Sequence, residues 1–372
     1  MEFIIMLITI LFVSVFQIFI PFFVKRSVVF GVTIPYEQAK HPQIMQYKKR
    51  YAAITSIIAL ISIGGFFLWN QVGAVDERQL ALTGMMLLIC TILIGFLLYL
   101  YFHTKMFQLK NKQNWFGKVK QVHYTELSIR SKDEMLSSIV HLIPVVISVG
   151  IIFLTAISYD QLPGKIPTHW GPDGIADAFS DKSWIVALNL PLVLIIMQLM
   201  FFFINYFTKR SGIKINAGNV TSSKLRQLRL RKYTSWFLFI VNILITLLFS
   251  VLQLNLLYEN IINQLVLIIV PIGFLVIVLA GSIWLAIKVG SVDSDFEGKN
   301  IIDVTQSGHL QVEGVDEDQY WKAGVFYFNR NDSSVFVEKR FGIGYTINFA
   351  NPIAYLVIVV PVVLMIIVPF FL

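Results

Sequence analysis

The sequence predicts an all-α polytopic membrane protein of about eight transmembrane helices, with a small cytoplasmic antiparallel β-meander between helices seven and eight. Three observations carry that prediction. The 372 residues are 56% hydrophobic and only 14% charged, against about 25% charged in an ordinary soluble domain. The apolar residues gather into eight runs, near 3–24, 51–70, 80–103, 138–157, 183–207, 233–257, 264–287 and 353–372. Each is long enough to cross a hydrocarbon core of about 30 Å at 1.5 Å per residue. The basic residues, finally, are almost confined to alternate loops.

Taken in order, the first run, "FIIMLITILFVSVFQIFIPFFV", is too long for a signal-peptide core and lacks a basic start and a small-residue cleavage site, so a retained helix is expected. Lys25, Arg26, Lys40, Lys48, Lys49 and Arg50 follow it. Seven Lys or Arg, from Lys105 to Lys132, separate runs three and four, and eight, from Lys209 to Lys232, separate runs five and six with no acid among them. Six more, Lys288 to Arg340, separate runs seven and eight, whereas the alternate loops hold only Arg78, Lys165 and Lys182. Thus 27 of 30 basic residues lie on one side, which the positive-inside rule makes cytoplasmic. Both termini are then expected outside. The net charge of +8 reads as a topology signal, and no nucleic-acid partner is expected. The lone Cys90 lies within an apolar run, which excludes a disulfide framework or a cysteine metal site within one chain.

These runs divide the chain into a three-helix region with basic loops (1–137), a helix-loop-helix (138–207) carrying the long outer loop 158–182, a basic loop with two helices (208–288), a cytoplasmic β-rich segment (289–352) and a last helix (353–372). In the basic loop, "SSKLRQLRLRKY" places Ser222 or Ser223 as N-cap of a cationic helix. It reads as a lead-in to the sixth span against anionic headgroups or as a dock for an acidic partner. In the β-rich segment, "AGVFYFN", "SSVFVEKRF" and "GIGYTINFA" read as three strands. Period two is clearest from Phe341 to Phe349, and Asn329 to Ser333 supply turn residues. Three strands alone are marginal in water, so Trp321 and Phe326 are expected to seal them against the membrane domain. Gly342 and Gly344 precede no helix and no GK[ST], which argues against a phosphate loop. Trp321, Gly324, Lys339, Arg340, Gly342 and Gly344 are the candidate residues here.

Polar residues within spans are costly and therefore informative. Here they are amides: Asn189, Gln198 and Asn205 in the fifth run, Asn242, Gln253 and Asn255 in the sixth. They read as interhelical glue or as the lining of a transport path. No span carries a central Asp, Glu, Lys or Arg, which argues against ion-coupled transport. His141 is expected at the interface, and Pro144, Pro191, Pro271 and Pro361 are placed to kink helices.

The outer loop reads "LPGKIPTHWGPDGIADAFSDK", Leu162 to Lys182. Its X-Pro pairs favour extended backbone, and Gly171–Pro172 and Gly174 permit tight turns. Trp170 and Trp184 suit the membrane interface, His169 titrates near neutrality, and Asp177 is positioned to brace its imidazole. One histidine with Asp173, Asp177 and Asp181 falls short of a catalytic zinc set. The chain has no H-E-x-x-H, and His41, His103, His123, His141 and His309 fall on the inner side. No enzyme activity, metal or cofactor is therefore expected. The set Pro163, Ile166, Pro167, His169, Trp170, Gly174 and Asp177 is expected to bind a ligand or to structure the loop.

On these residues the chain resembles the SdpI-like bacterial integral membrane proteins. Their extracytoplasmic domain of unknown function reads roughly L-P-x-x-I-P-x-H-W-x-x-x-G-x-x-D between two spans. Leu162, Pro163, Ile166, Pro167, His169, Trp170, Gly174 and Asp177 match that pattern. "YWKAGVFYFNRNDSSVFVEKRFGIGYTINFANP" similarly resembles a C-terminal cytoplasmic domain of unknown function found in longer members. The resemblance implies a bacterial plasma-membrane location and immunity to a secreted peptide toxin coupled to signalling. An extracellular peptide and a cytoplasmic regulator are the partners it implies.

Overall fold

The computed structural model describes residues 2–23, 28–71, 76–115, 120–121, 123–124, 132–170, 176–213, 215–216, 220–258, 261–304, 312–313, 317–340 and 342–367, with the backbone alone for some of them. Eight helices carry the fold among these residues: α1 (Glu2–Phe23), α2 (Pro42–Gln71), α3 (Glu77–Gln113), α4 (Ile143–Ser158), α5 (Trp184–Arg210), α6 (Val220–Leu257), α7 (Gln264–Val304) and α8 (Pro352–Ile367). Seven membrane-length apolar helices are present; the eighth run forms the shorter α8, and the last residues of that run, 368–372, lie outside the described residues. The all-α polytopic class is the observed one. The helices leave much apolar surface uncovered: on α7, Leu275 and Ile269 are 65% and 62% exposed. Water would penalise that surface, whereas lipid tails match it.

Several helices outrun their apolar stretches. Helix α6 begins at Val220 and includes "SSKLRQLRLRKY", and α3 continues through "HTKMFQLKNKQ". Leu, Lys, Arg and Gln are good helix formers, so hydrogen bonding continues where hydrophobicity stops. Ends are set by side chains: Ser183 accepts from the Val186 amide at 3.2 Å to open α5, and Asn351 accepts from Ile353 at 3.0 Å to open α8. Pro144 starts α4 rather than kinking it, since its missing N–H is an orphan there anyway. Pro361 follows a π turn at Tyr355–Val359 in α8, a wider turn of the kind that relieves the ring's clash with the preceding carbonyls.

The chain forms two compact units. The first comprises Met1–Val122, Leu310–Tyr327 and Lys339–Gly342; the second comprises His123–His309, Phe328–Glu338 and Ile343–Leu372. In the first, α1 to α3 pack together, and β1 (Val28–Val29) turns into β2 (Val32–Thr33). Phe30 and Gly31 between them both have positive φ, the type I′ geometry that matches strand twist. A left-handed Phe is strained. Burial compensates, with Phe30 only 3% exposed, stacked on Phe102 at 5.3 Å and beside Tyr51. β3 (Lys120–Gln121) pairs in parallel with β8 (Val312–Glu313), and β9 (Trp321–Lys322) pairs with β10 (Phe326–Tyr327) through left-handed Ala323 and Gly324.

In the second unit α4, α5 and α6 pack together, α7 lies on α6, and α8 lies on α5. β4 (His123–Tyr124) pairs with β7 (Ile215–Asn216), β5 (Lys165–Trp170) with β6 (Ala176–Asp181), and β11 (Phe336–Glu338) with β12 (Tyr345–Ile347), all antiparallel. The expected three-stranded meander is therefore replaced by separate two-stranded ladders. "GVFYF" folds back on Trp321–Lys322, and Gly342 (φ 66°) and Gly344 (φ 116°) limit the last strand to Tyr345–Ile347. Trp321 is buried as expected, whereas Phe326 is 42% exposed.

Gly324 sits where backbones cross. A Cβ there would lie 2.5 Å from the Gly31 Cα and 2.9 Å from its oxygen, at φ 70°. Gly324→Ala is expected to destabilise the first unit by about 2–4 kcal/mol, combining overpacking with left-handed strain. Thermal unfolding of the purified protein checks this, and a wild-type midpoint refutes it.

Candidate functional site

The LPxxIPxHW segment folds as the β5–β6 hairpin between α4 and α5, and its base is fixed to the helix ends. Ile166 is fully buried with Leu162, Val186, Ala187, Leu256 and Leu257. Tyr159 and Trp184 stack at 3.8 Å, and Lys182 lies 4.9 Å over the Tyr159 ring. The Lys182 ammonium also donates to the Leu162 and Asp160 carbonyls at 3.0 and 3.2 Å, and its amide donates to Gly164 at 2.9 Å. Pro163 is exposed and Pro167 half-buried.

The register runs Pro167↔Phe179, His169↔Ala178, Trp170↔Ala176. It therefore skips Thr168 on one strand and Asp177 on the other. Such irregularities twist a ladder and re-aim its residues. His169, Trp170 and Asp177 are thus strand residues at this irregular end. Their side chains, and Gly174 and Asp173 altogether, lie outside the described residues. Among the described residues no three His, Cys, Asp or Glu side chains are grouped to hold a metal.

Beneath the hairpin the span amides form polar rungs across α4, α5 and α6. Gln253 donates to Thr155 Oγ1 at 3.1 Å and the Ala187 carbonyl at 2.9 Å. Gln198 Nε2 lies 2.7 Å from Ser148 Oγ, 2.8 Å from Thr246 Oγ1 and 3.2 Å from the Pro144 carbonyl. Asn242 donates to the His141 carbonyl at 3.3 Å. Asn205 donates to Leu136 and Ser138 and accepts from Ser235 at 2.6 Å. From Ser235 to Gln253 these rungs cover about 27 Å of helix at 1.5 Å per residue, close to a hydrocarbon thickness. His141, expected at the interface, is fully buried and edge-on to Phe239 at 5.6 Å.

The carbonyl oxygens of Asn189, Gln198, Asn242 and Gln253 have no hydrogen-bond partner among the described residues. Membrane amide bonds average about 0.6 kcal/mol, with a maximum near 1.7. Gln198→Leu also removes one of the orphaned acceptors. It is expected to lower stability by only about 1 kcal/mol, read as a small shift of the unfolding midpoint.

The candidates of the 289–352 segment fall into both units. In the first, Arg340 lies over the Trp321 ring at 5.0 Å and donates to the Gly31 carbonyl at 2.7 Å. It also pairs with Asp318, which takes Lys110 at 2.6 Å. Tyr99 donates to Ala323 at 3.1 Å, and Gly324 packs on Gly31. Lys339 and Gly342 are exposed. In the second, Gly344 adjoins Tyr345, whose buried phenol is pushed above its ordinary pKa, chiefly by burial. Glu338 pairs with Arg226 at 2.7 Å and accepts from Gln227. Arg231 forks onto Asp133 at 2.7 and 3.0 Å. Sequence reasoning missed Asp318, Lys110, Asp133 and Arg231; charges at helix ends are common, and only the fold shows which are buried.

Spanning helices, an extramembrane hairpin and buried polar rungs define a multi-pass membrane protein. The domain of unknown function DUF1648 matches residues 146–195, which cover most of α4, the hairpin and the start of α5. The family of unknown function DUF5808 matches residues 330–355, the β11–β12 ladder and the cap of α8. No curated protein and no solved structure matches the chain significantly.

Proposed function

We propose that this chain is a non-enzymatic membrane protein that senses, or confers immunity to, an extracellular peptide or envelope-stress agent. The hairpin is its recognition element, and the basic side presents a cytoplasmic docking surface to a regulator. The reading includes a bacterial plasma-membrane location with both termini outside. The observation that carries it is the fixed base of the hairpin. A loop clamped by Ile166, Lys182 and the Tyr159–Trp184 stack presents His169, Trp170 and Asp177 on a preorganised frame, which lowers the ordering cost of binding.

The test is phenotypic. A deletion strain is challenged with secreted peptides and cell-envelope antibiotics while transcription is followed. Unchanged sensitivity and unchanged transcription across the panel reject the reading. A strain carrying His169→Ala with Trp170→Ala then separates roles: lost protection at normal membrane abundance supports recognition, whereas lost abundance makes these residues structural.

The orphaned oxygens of Asn189, Gln198, Asn242 and Gln253 favour a second reading, a permease with an amide-lined path. Its test is solute flux in liposomes, and flux that ignores both Asn189→Ala and Asn242→Ala counts against it.

A further inference from the structure

At the basic end of α5 a cavity of about 370 Å³ opens, lined by Ser137, Ile139, Phe202, Tyr206, Lys209 and Arg210 among others. It has a cationic part and an apolar part. Lys209 and Arg210 close the last turn of α5, and the Arg210 guanidinium lies 4.5 Å over the Tyr206 ring, which holds it in place. Neither cation makes an ion pair among the described residues. The acids near Ser137 in the chain are already engaged, Asp133 with Arg231 and Glu134 with Lys232. Ile139 is 73% exposed and forms an apolar wall beside Phe202. Helix α5 has 27 residues, about 40 Å at 1.5 Å per residue, which matches a bilayer with its headgroups. A helix of that length, spanning the bilayer, would carry the cations at its end to phosphate depth.

We propose that this cavity binds an anionic phospholipid. The phosphodiester sits between Lys209, Arg210 and the Ser137 hydroxyl, and an acyl chain covers Ile139 and Phe202. Two cations without an ion pair among the described residues, Lys209 touching only the Met135 carbonyl at 3.5 Å there, favour a net negative headgroup over a zwitterionic one, and the apolar wall would stay uncovered by a free phosphate.

The experiment reads lipid retention by native mass spectrometry of the full-length protein from mixed phosphatidylglycerol and phosphatidylcholine. Wild type is expected to retain phosphatidylglycerol about tenfold over phosphatidylcholine. The K209Q/R210Q double variant should lose that preference. A charge-matched K40Q/K112Q control, at exposed sites in the other unit, should keep it. Equal retention of both lipids by wild type, a preference that survives K209Q/R210Q, or equal loss in the control overturns the proposal. Displacement of the lipid by inorganic phosphate would assign the cavity to a free anion instead and also overturns it.

Discussion

Asp318→Asn is expected to destabilise the first unit by about 3–5 kcal/mol, because it removes the buried carboxylate that both Arg340 and Lys110 face. The Asp318 side chain is 7% exposed, and those of Lys110 and Arg340 are 5% and 8% exposed. The carboxylate also accepts from the Thr33 amide at 3.1 Å and its hydroxyl at 2.8 Å, which holds the β1–β2 hairpin to the same point. Asparagine keeps the shape and loses the charge. Midpoints of thermal unfolding and protease sensitivity near residues 317–327 read the effect, and a variant as stable as wild type would sink the idea.

The same group sets a pH dependence. Burial alone pushes its carboxyl up. Arg340 first, then Lys110, and hydrogen bonds from Lys110 and Thr33 more than offset that, so the net shift is downward. A depressed pKa means that the contribution is complete above the unfolded value, about 3.9, and is lost as pH falls through the lower folded value. The gap between wild type and Asp318→Asn should accordingly be full at neutral pH and should close in strong acid. A gap that stays constant down through that window contradicts the assignment.

The existence of the helices was legible because crossing a bilayer demands a long apolar run, and few other structures leave that mark. Their ends were not. Hydropathy reports which residues meet lipid, whereas the helix continues wherever backbone bonding does, as at Val220 and Gln113. The span amides were legible as glue, but half of each rung was not. Ser148, Thr155 and Thr246 bond their own i−4 carbonyls, so hydroxyls in spans are unremarkable in sequence.

The period-two run from Phe341 promised a longer strand than Tyr345–Ile347, because alternation does not reveal the positive φ taken by Gly342 and Gly344. The hairpin's extended ends followed from its X-Pro pairs, and its two skipped residues did not. Asp318 lies 285 positions from Thr33 and 208 from Lys110, separations that no local pattern can register.

The second large effect is expected at Arg231 and Asp133, where the single and double substitutions should disagree. Arg231 is 2% exposed and donates to the Lys209 and Ser211 carbonyls at 2.8 and 3.4 Å as well as to Asp133. Asp133→Leu strands a buried guanidinium among carbonyls that cannot neutralise it, at about 3–5 kcal/mol. Arg231→Met strands a carboxylate that, among the described residues, keeps the Met135 amide at 3.1 Å as its hydrogen-bond donor, a cost of similar size. Removing both charges removes the desolvation penalty with the attraction, so the double variant should recover most of the loss. One residue further along each segment, Lys232 and Glu134 make an ion pair that is 40% and 65% exposed, and Lys232→Met should change little. If the double variant is as unstable as the two single losses combined, the pair is not coupled, and burial of opposite charges is not what holds residues 132–136 to α6.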